Sequence, residues 1–250
     1  MRANIVVVAA EKGGVGKTTL AIELAASLNA ILIDLDFHGG GASDRLGIDP
    51  TQARRPALVR ALEVGPDAQA PRPRRRAGRP ALVASHPDLG TARLDEQDLA
   101  DCIRAWAQRW QDQVIVIDTH PGAHWTSDGA MQTADLILVP VPPGAGELSA
   151  TRRMLEERRS YPIALVPNIV PPIPAQRYLD ALGQLREEFG VAILPPISEH
   201  RWLRRRVSTS AISLLTRPGV RTRRASDEFH VLADATAKLL EARRHEHHAA

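Results

Sequence analysis

Lysine is nearly missing from this chain. Of 32 basic residues in 250, three are lysines and 29 are arginines, and Lys12 and Lys17 lie within one short run. Cysteine is scarcer still. Cys102 stands alone, which excludes disulfides within the chain and clusters of cysteine metal ligands; it falls in a helical pattern and reads as a small buried apolar residue. No apolar run approaches the roughly 20 residues that span a bilayer, and Met1-Arg2-Ala3 leads into a strand-like run rather than a signal peptide. A cytoplasmic protein is expected. The length, with 44% hydrophobic and 24% charged residues, suits one α/β domain over 1–250.

The two lysines occur in Glu11-Lys12-Gly13-Gly14-Val15-Gly16-Lys17-Thr18-Thr19. An ammonium is a compact point charge that fits between phosphate oxygens, whereas a guanidinium is a wide planar fork. Before the run, Asn4 to Ala10 is apolar and β-branched, as in a buried parallel strand; after it, Thr18 to Asn29 carries Leu20, Ala21, Leu24, Ala25 and Leu28 on one helical face. Strand, glycine-rich loop and helix together predict a polyphosphate cradle. Backbone N–H groups of Gly13, Gly14, Val15, Gly16 and Thr19 converge on phosphate oxygens, Lys17 reaches the β- and γ-phosphates, and the Thr18 hydroxyl ligates Mg²⁺. ATP and Mg²⁺ are the expected ligands. A ligand-free glycine turn is the bland alternative.

In the ordinary phosphate-loop pattern the first glycine would fall at Glu11, with no lysine after it. The run KGGVGKTT instead resembles the deviant Walker A motif of the ParA/MinD family of dimeric ATPases. The resemblance implies that Lys12 crosses a dimer interface to the partner subunit's nucleotide. Ala30 to Asp36 is a second apolar strand ending in Asp34 and Asp36, and resembles the segment whose second aspartate sits beside the attacking water, so Asp36 is expected to activate water. The family often continues with Pro-Gln, where this chain has Phe37-His38 and then Gly39-Gly40-Gly41. Gln113 to Asp118 is a third strand ending in an acid, with Asp118 expected to hold Mg²⁺ through a water. Thr119-His120-Pro121-Gly122 resembles the turn that senses the γ-phosphate. An aspartate after a strand is by itself often only a turn residue. Asn168 and Pro195-Pro196 resemble the family's adenine-contacting loops.

Further alternation follows. Strands are expected over Ala81–Ala84, Leu136–Val141, Ile163–Pro167 and Val191–Leu194, and helices over Leu94–Trp110, Glu147–Arg159, Ala175–Phe189 and Asp227–Arg244. That order predicts a mainly parallel, twisted sheet with helices on both faces, the P-loop NTPase fold. Ligands then bind beyond the carboxyl ends of the strands. The stretch 66–80, with four prolines and five arginines, reads as a mobile surface loop, either solvated or binding acidic partners.

Arg201, Arg204, Arg205, Arg206, Arg217, Arg221, Arg223 and Arg224 crowd one region although the whole chain is only +3. Such segregation is the footprint of a phosphate-backbone binder, with a solvated arginine face as the alternative. The resemblance to ParA implies that Arg201, Arg204, Arg205, Arg206, Arg221, Arg223 and Arg224 hold nonspecific DNA when two ATP-bound subunits pair. Without an N-terminal extension large enough for a helix-turn-helix domain, operator binding is not expected. The final helix, with Val231, Leu232, Ala235, Leu239 and Leu240, suits core packing, and the tail 241–250 has no apolar face for a membrane; His245, His247 and His248 read as a frayed polar end. The expected function is a weak, partner-stimulated ATPase that partitions plasmid or chromosome DNA on the nucleoid with a ParB-like protein. Alternatives are a ParA-like ATPase that positions protein cargo and a biosynthetic P-loop ligase resembling dethiobiotin synthetase.

Overall fold

The computed structural model describes residues 2–49, 57–111, 113–206 and 209–249, with the side chains of Arg204 and of 246–249 outside the description. Seven parallel strands form one sheet: β1 (Asn4–Val8), β2 (Ile31–Asp34), β3 (Ala81–Val83), β4 (Val114–Asp118), β5 (Leu136–Val141), β6 (Ile163–Pro167) and β7 (Ala192–Ile193). Their order across the sheet is β3-β2-β4-β1-β5-β6-β7. The expected parallel sheet is therefore present. It is covered on both faces, which explains why its strands read as continuous apolar runs.

Period-2 alternation divides β1 between two cores. Ile5 and Val7 pack on one face with Leu99, Ile103 and Trp106 of α4 (Glu96–Arg109), Met131 of α5 (Trp125–Met131), Met154 of α6 (Ala145–Glu157) and Leu182 of α7 (Gln176–Phe189). Val6 and Val8 point the other way, to Leu20 and Leu24 of α1 (Lys17–Ser27) and Phe229 and Leu232 of α8 (Val220–Ala249). Burying each such side chain is worth about 1.5–3 kcal/mol. Two short helices, α2 (Ala42–Arg45) and α3 (Ala57–Val64), lie between β2 and β3.

Local chemistry shifts several expected boundaries. The strand expected to reach Asp36 ends at Asp34, because the Asp34 carboxylate accepts the Asp36 N–H at 3.0 Å and turns the chain out of the sheet. Asp95 and Asp98 form a reciprocal capping box, so α4 starts at Glu96 rather than Leu94. α8 starts at Val220, seven residues before Asp227, with the Arg223 N–H bonded to the Gly219 carbonyl at 2.8 Å. Arginine-rich sequence concealed its first turns. The stretch 66–80 is irregular, yet tied down: Arg74 exchanges two backbone hydrogen bonds with Leu82 of β3, at 2.7 and 3.0 Å.

Candidate functional site

α1 begins at a helix terminus without a side-chain cap. Gly16 occupies the N-cap position at φ 94°, and the first turn holds no acidic residue. Its orphan N–H groups and the positive end of the helix dipole thus remain available to an anion. A Cβ on Gly16 would lie 2.4 Å from Nδ2 of Asn168. That amide donates to the Val15 carbonyl at 2.7 Å and is 5% exposed, so Asn168 braces the phosphate loop. Its neighbour Ile169 is held at φ 56°, an unusual conformation for a β-branched residue. Strain of that kind is retained where surrounding contacts dictate it.

Lys17 is buried at the start of α1, its Nζ 3.4 Å from the Lys12 carbonyl. Burial lowers its pKa, the charges of Asp118 and Asp36 oppose that, and Arg45 adds to it. Those influences place one ammonium, one guanidinium and two carboxylates around the loop. Asp118 and Asp34 lie side by side at the carboxyl ends of β4 and β2. Both are fully buried. Burial raises the Asp118 pKa well above the usual carboxylate range and Asp34 adds to it, while Thr18 and Lys17 oppose. Asp34 is pushed up to about 6 by burial, although the hydroxyl and N–H of Ser43 and the N–H of Asp36 oppose the shift.

The two acids differ in their hydrogen bonds. Asp34 accepts from the Asp36 N–H at 3.0 Å and the Ser43 N–H at 2.6 Å, and so holds the loop after β2. Among the described residues, neither Asp118 carboxylate oxygen has a hydrogen-bond partner of ordinary geometry. A buried carboxylate without such partners is expensive unless a cation arrives. With buried Thr18 alongside Lys17, this donor set fits Mg²⁺, which takes few protein ligands and completes its shell with water and phosphate oxygens.

Asp36 lies at the mouth of the site with its side chain 14% exposed, and its Oδ1 is 3.1 Å from Nδ1 of His120. Two further neighbours complete this mouth. His120 joins an aromatic group with Phe37, His38 and His124, its ring stacked on Phe37 at 4.8 Å between centroids. Arg45, on α2, donates to the Thr19 hydroxyl at 2.7 Å and to the Gly40 carbonyl at 3.1 Å, bringing a guanidinium to the phosphate loop. His120 lies in the turn after β4 that the sequence pointed to, but its contact with Asp36 had no local signal. Arg45 carries no local signal, because only the fold of the glycine loop brings it back to α1.

The other expected residues divide. Lys12 is 42% exposed and lies 3.7 Å from Glu147 in the first turn of α6. Pro195 lines a cleft of about 500 Å³ with Pro196, Val220, Arg223, Arg224 and Glu228. Arg201 and Arg205 are exposed on a short 3-10 turn, and Arg221, Arg223 and Arg224 are exposed on α8. Glu228 connects the two by accepting from His200 and Ser198 at 2.8–2.9 Å and lying 3.6 Å from Arg224.

Arg206 is placed differently from the exposed arginines. It is 17% exposed and lies 3.8 Å from Glu23, a buried acid on α1. Glu23 also accepts the N–H groups of Ile212 and Ser213 at 2.8 and 2.9 Å. Arg206 thus fixes the basic segment to α1 instead of facing solvent. The Arg204 side chain lies outside the described residues, as do those of His247 and His248.

A family model described as an AAA domain matches residues 3–157. The chromosome partitioning protein ParA of Myxococcus xanthus is 32% identical over 160 residues, covering 55% of this chain and 52% of that protein. ParA of Caulobacter vibrioides is 30% identical over 149 residues, with 55% of each covered. This chain therefore spans about half the length of the curated relatives it matches. Among solved structures, the McdA–ATP complex of Cyanothece superposes with a TM-score of 0.75 at 18% identity, covering 94% of this chain and 97% of that one. The cell division ATPase MinD of Pyrococcus furiosus gives 0.72 at 20% identity, covering 95% and 99%. At such identities the likeness extends to the fold, that of P-loop NTPases. With more than half of its residues matched by the family model and partition proteins among its relatives, this chain belongs to the AAA-domain family, in its ParA/MinD group.

Proposed function

We propose that this chain is an ATP-hydrolysing switch that pairs with a second copy on binding ATP and holds nonspecific DNA in that state, serving DNA partition with a ParB-like partner. The observation that carries the reading is the uncapped, glycine-lined start of α1 beside buried Lys17 and the unpartnered Asp118 carboxylate. Packing alone gives no reason for that combination. Backbone N–H groups of 13–19 cradle the phosphates, Lys17 neutralises the β- and γ-oxygens, and Arg45 adds charge beside Thr19. Thr18, and Asp118 through water, would hold Mg²⁺, which supplies positive charge against the phosphate oxygens during transfer. Asp36 orients and accepts from the attacking water. Lys12, half-exposed at the rim, is available to a second subunit.

The DNA contact rests on this chain's own charges, because Arg201, Arg205, Arg221, Arg223 and Arg224 lie beyond the family-matched residues 3–157. Paired subunits would join two such patches, so affinity rises with dimerisation and falls on hydrolysis. The same cycle would serve a second reading, positioning of protein cargo. It differs only in the partner.

The deciding measurement is binding to a nonspecific duplex with no nucleotide, ADP, ATP or a slowly hydrolysed ATP analogue, at two salt concentrations. Salt-sensitive binding confined to the ATP states is expected. Nucleotide binding with no DNA affinity in any state would overturn the switch and favour a small-molecule acceptor, as in a ligase.

A further inference from the structure

The loop after β2 departs from the family's usual Pro-Gln by carrying Phe37-His38. Phe37 is buried, and a Cβ on Gly90 would come within 2.7 Å of its ring, so the missing side chain at 90 leaves the slot that Phe37 occupies. On its other sides Phe37 meets His120 at 4.8 Å and His124 at 4.7 Å. His124 is itself fixed as the N-cap of α5, its Nδ1 accepting from the N–H and hydroxyl of Thr126 at 3.2 and 2.9 Å. Phe37 is therefore a wedge that sets where the neighbouring imidazoles lie.

The His120 backbone is anchored as firmly. The Thr119 hydroxyl donates to the Val8 carbonyl at 2.9 Å, the Ser127 hydroxyl donates to the His120 carbonyl at 2.8 Å, and the Gly122 N–H donates to Ala10 at 3.2 Å. With backbone and ring both held, Nδ1 of His120 reaches Oδ1 of Asp36 at 3.1 Å. The His38 N–H approaches that same oxygen at 3.5 Å. Both contacts fall on one oxygen of the carboxylate.

We propose that His120 is a positioning residue for ATP hydrolysis: its Nδ1–H holds Asp36 through Oδ1 and leaves Oδ2 to receive the attacking water. The assignment rests on the ATPase reading above. In the step it serves, the water oxygen bonds to the γ-phosphorus, the bond from that phosphorus to the β–γ bridging oxygen breaks, and its electron pair leaves with ADP. A water proton is accepted at Oδ2 of Asp36 and then released to the departing phosphate. His120 exchanges no proton; it limits the rotation of Asp36. Holding a group within reach of its target is worth far more than its hydrogen bond alone, because a misplacement of about 1 Å can cost 100-fold.

The test is single-turnover hydrolysis by the full chain at saturating ATP and Mg²⁺, with nucleotide affinity measured in parallel. His120→Ala is expected to lower the rate constant about tenfold to 100-fold, with ATP affinity changed less than about twofold. His120→Asn keeps a donor where Nδ1 stood and should restore most of the rate. On an Asp36→Asn background, His120→Ala should add almost nothing, as two residues acting through one group are non-additive. If the alanine variant loses its fold, asparagine and glutamine carry the test: glutamine, whose amide reaches the Nε2 position, should behave like the loss of His120. An unchanged rate in His120→Ala, additive losses in the double variant, or glutamine restoring better than asparagine would each overturn the assignment alone. A parent chain that binds ATP but never turns it over would overturn both this assignment and the ATPase reading.

Discussion

At the phosphate loop the donors are mainly backbone N–H groups, reinforced by one buried ammonium; in the basic segment they are the exposed side chains of Arg201, Arg205, Arg221, Arg223 and Arg224. The first arrangement is fixed by covalent geometry, since Gly16 at φ 94° and the uncapped first turn of α1 leave few ways to place the loop. The second depends on anchors. Glu23, 183 positions before Arg206 and on α1, draws that arginine inward, while Glu228 on α8 ties the turn at 198–200 to the helix that carries Arg221, Arg223 and Arg224. A loop built from backbone announces itself locally, whereas a charged surface must be sorted by tertiary contacts.

The sharpest way to break that contrast is Gly16→Ala. The added Cβ meets Asn168 at 2.4 Å and the left-handed backbone costs roughly 1–2 kcal/mol, so the loop must move. ATP affinity is expected to fall about 100-fold, or some 2.7 kcal/mol, in a nucleotide titration that leaves DNA-independent folding cooperative.

A smaller effect separates the arginines from one another. Replacing Arg221, Arg223 and Arg224 by Ala should reduce the slope of log affinity for DNA against log salt by up to about 3, while thermal stability stays near the parent's. Arg206→Ala should do the reverse. Removing it leaves Glu23 without its cation, so stability falls by about 1–3 kcal/mol in denaturant unfolding with the salt slope unchanged. Equal salt slopes for the triple variant and the parent would remove those residues from the DNA contact.

The smallest effect concerns Glu228. Burial raises its pKa, but the hydrogen bonds from His200 and Ser198 together outweigh that and hold it below its ordinary value of 4.5. A carboxylate lowered on folding stabilises above its unfolded value and loses that contribution as pH falls through the folded one. Glu228→Gln should therefore cost about 1 kcal/mol at pH 7, and the gap to the parent should close as pH drops below about 4.5. A gap independent of pH would mean that shape, not charge, holds the turn to α8.

Much of this was legible beforehand. Apolar strands followed by Gly16-Lys17 and by Asp118 gave the sheet, the loop and its acids, because each is a local pattern that burial repeats in space. Three things were not. The start of α8 lay hidden in arginines that carry no apolar period, the inward turn of Arg206 required an acid 183 positions earlier, and Arg45 reaches Thr19 only after the glycine loop closes. His120 was noted as part of a turn, but its bond to Asp36 depends on Phe37 filling the slot beside Gly90.

The hydrogen bonds between Arg74 and Leu82 reach beyond local order. In the three-residue edge strand β3, Leu82 is the residue whose backbone groups point away from β2, and Arg74 occupies both of them. At the opposite margin β7 extends for two residues only. Among the described residues, then, neither side of the sheet offers a ladder on which another chain could add a strand, a common route to runaway aggregation. The pairing proposed above would then have to use contacts between folded surfaces rather than sheet extension, and such contacts can separate again without unravelling either copy.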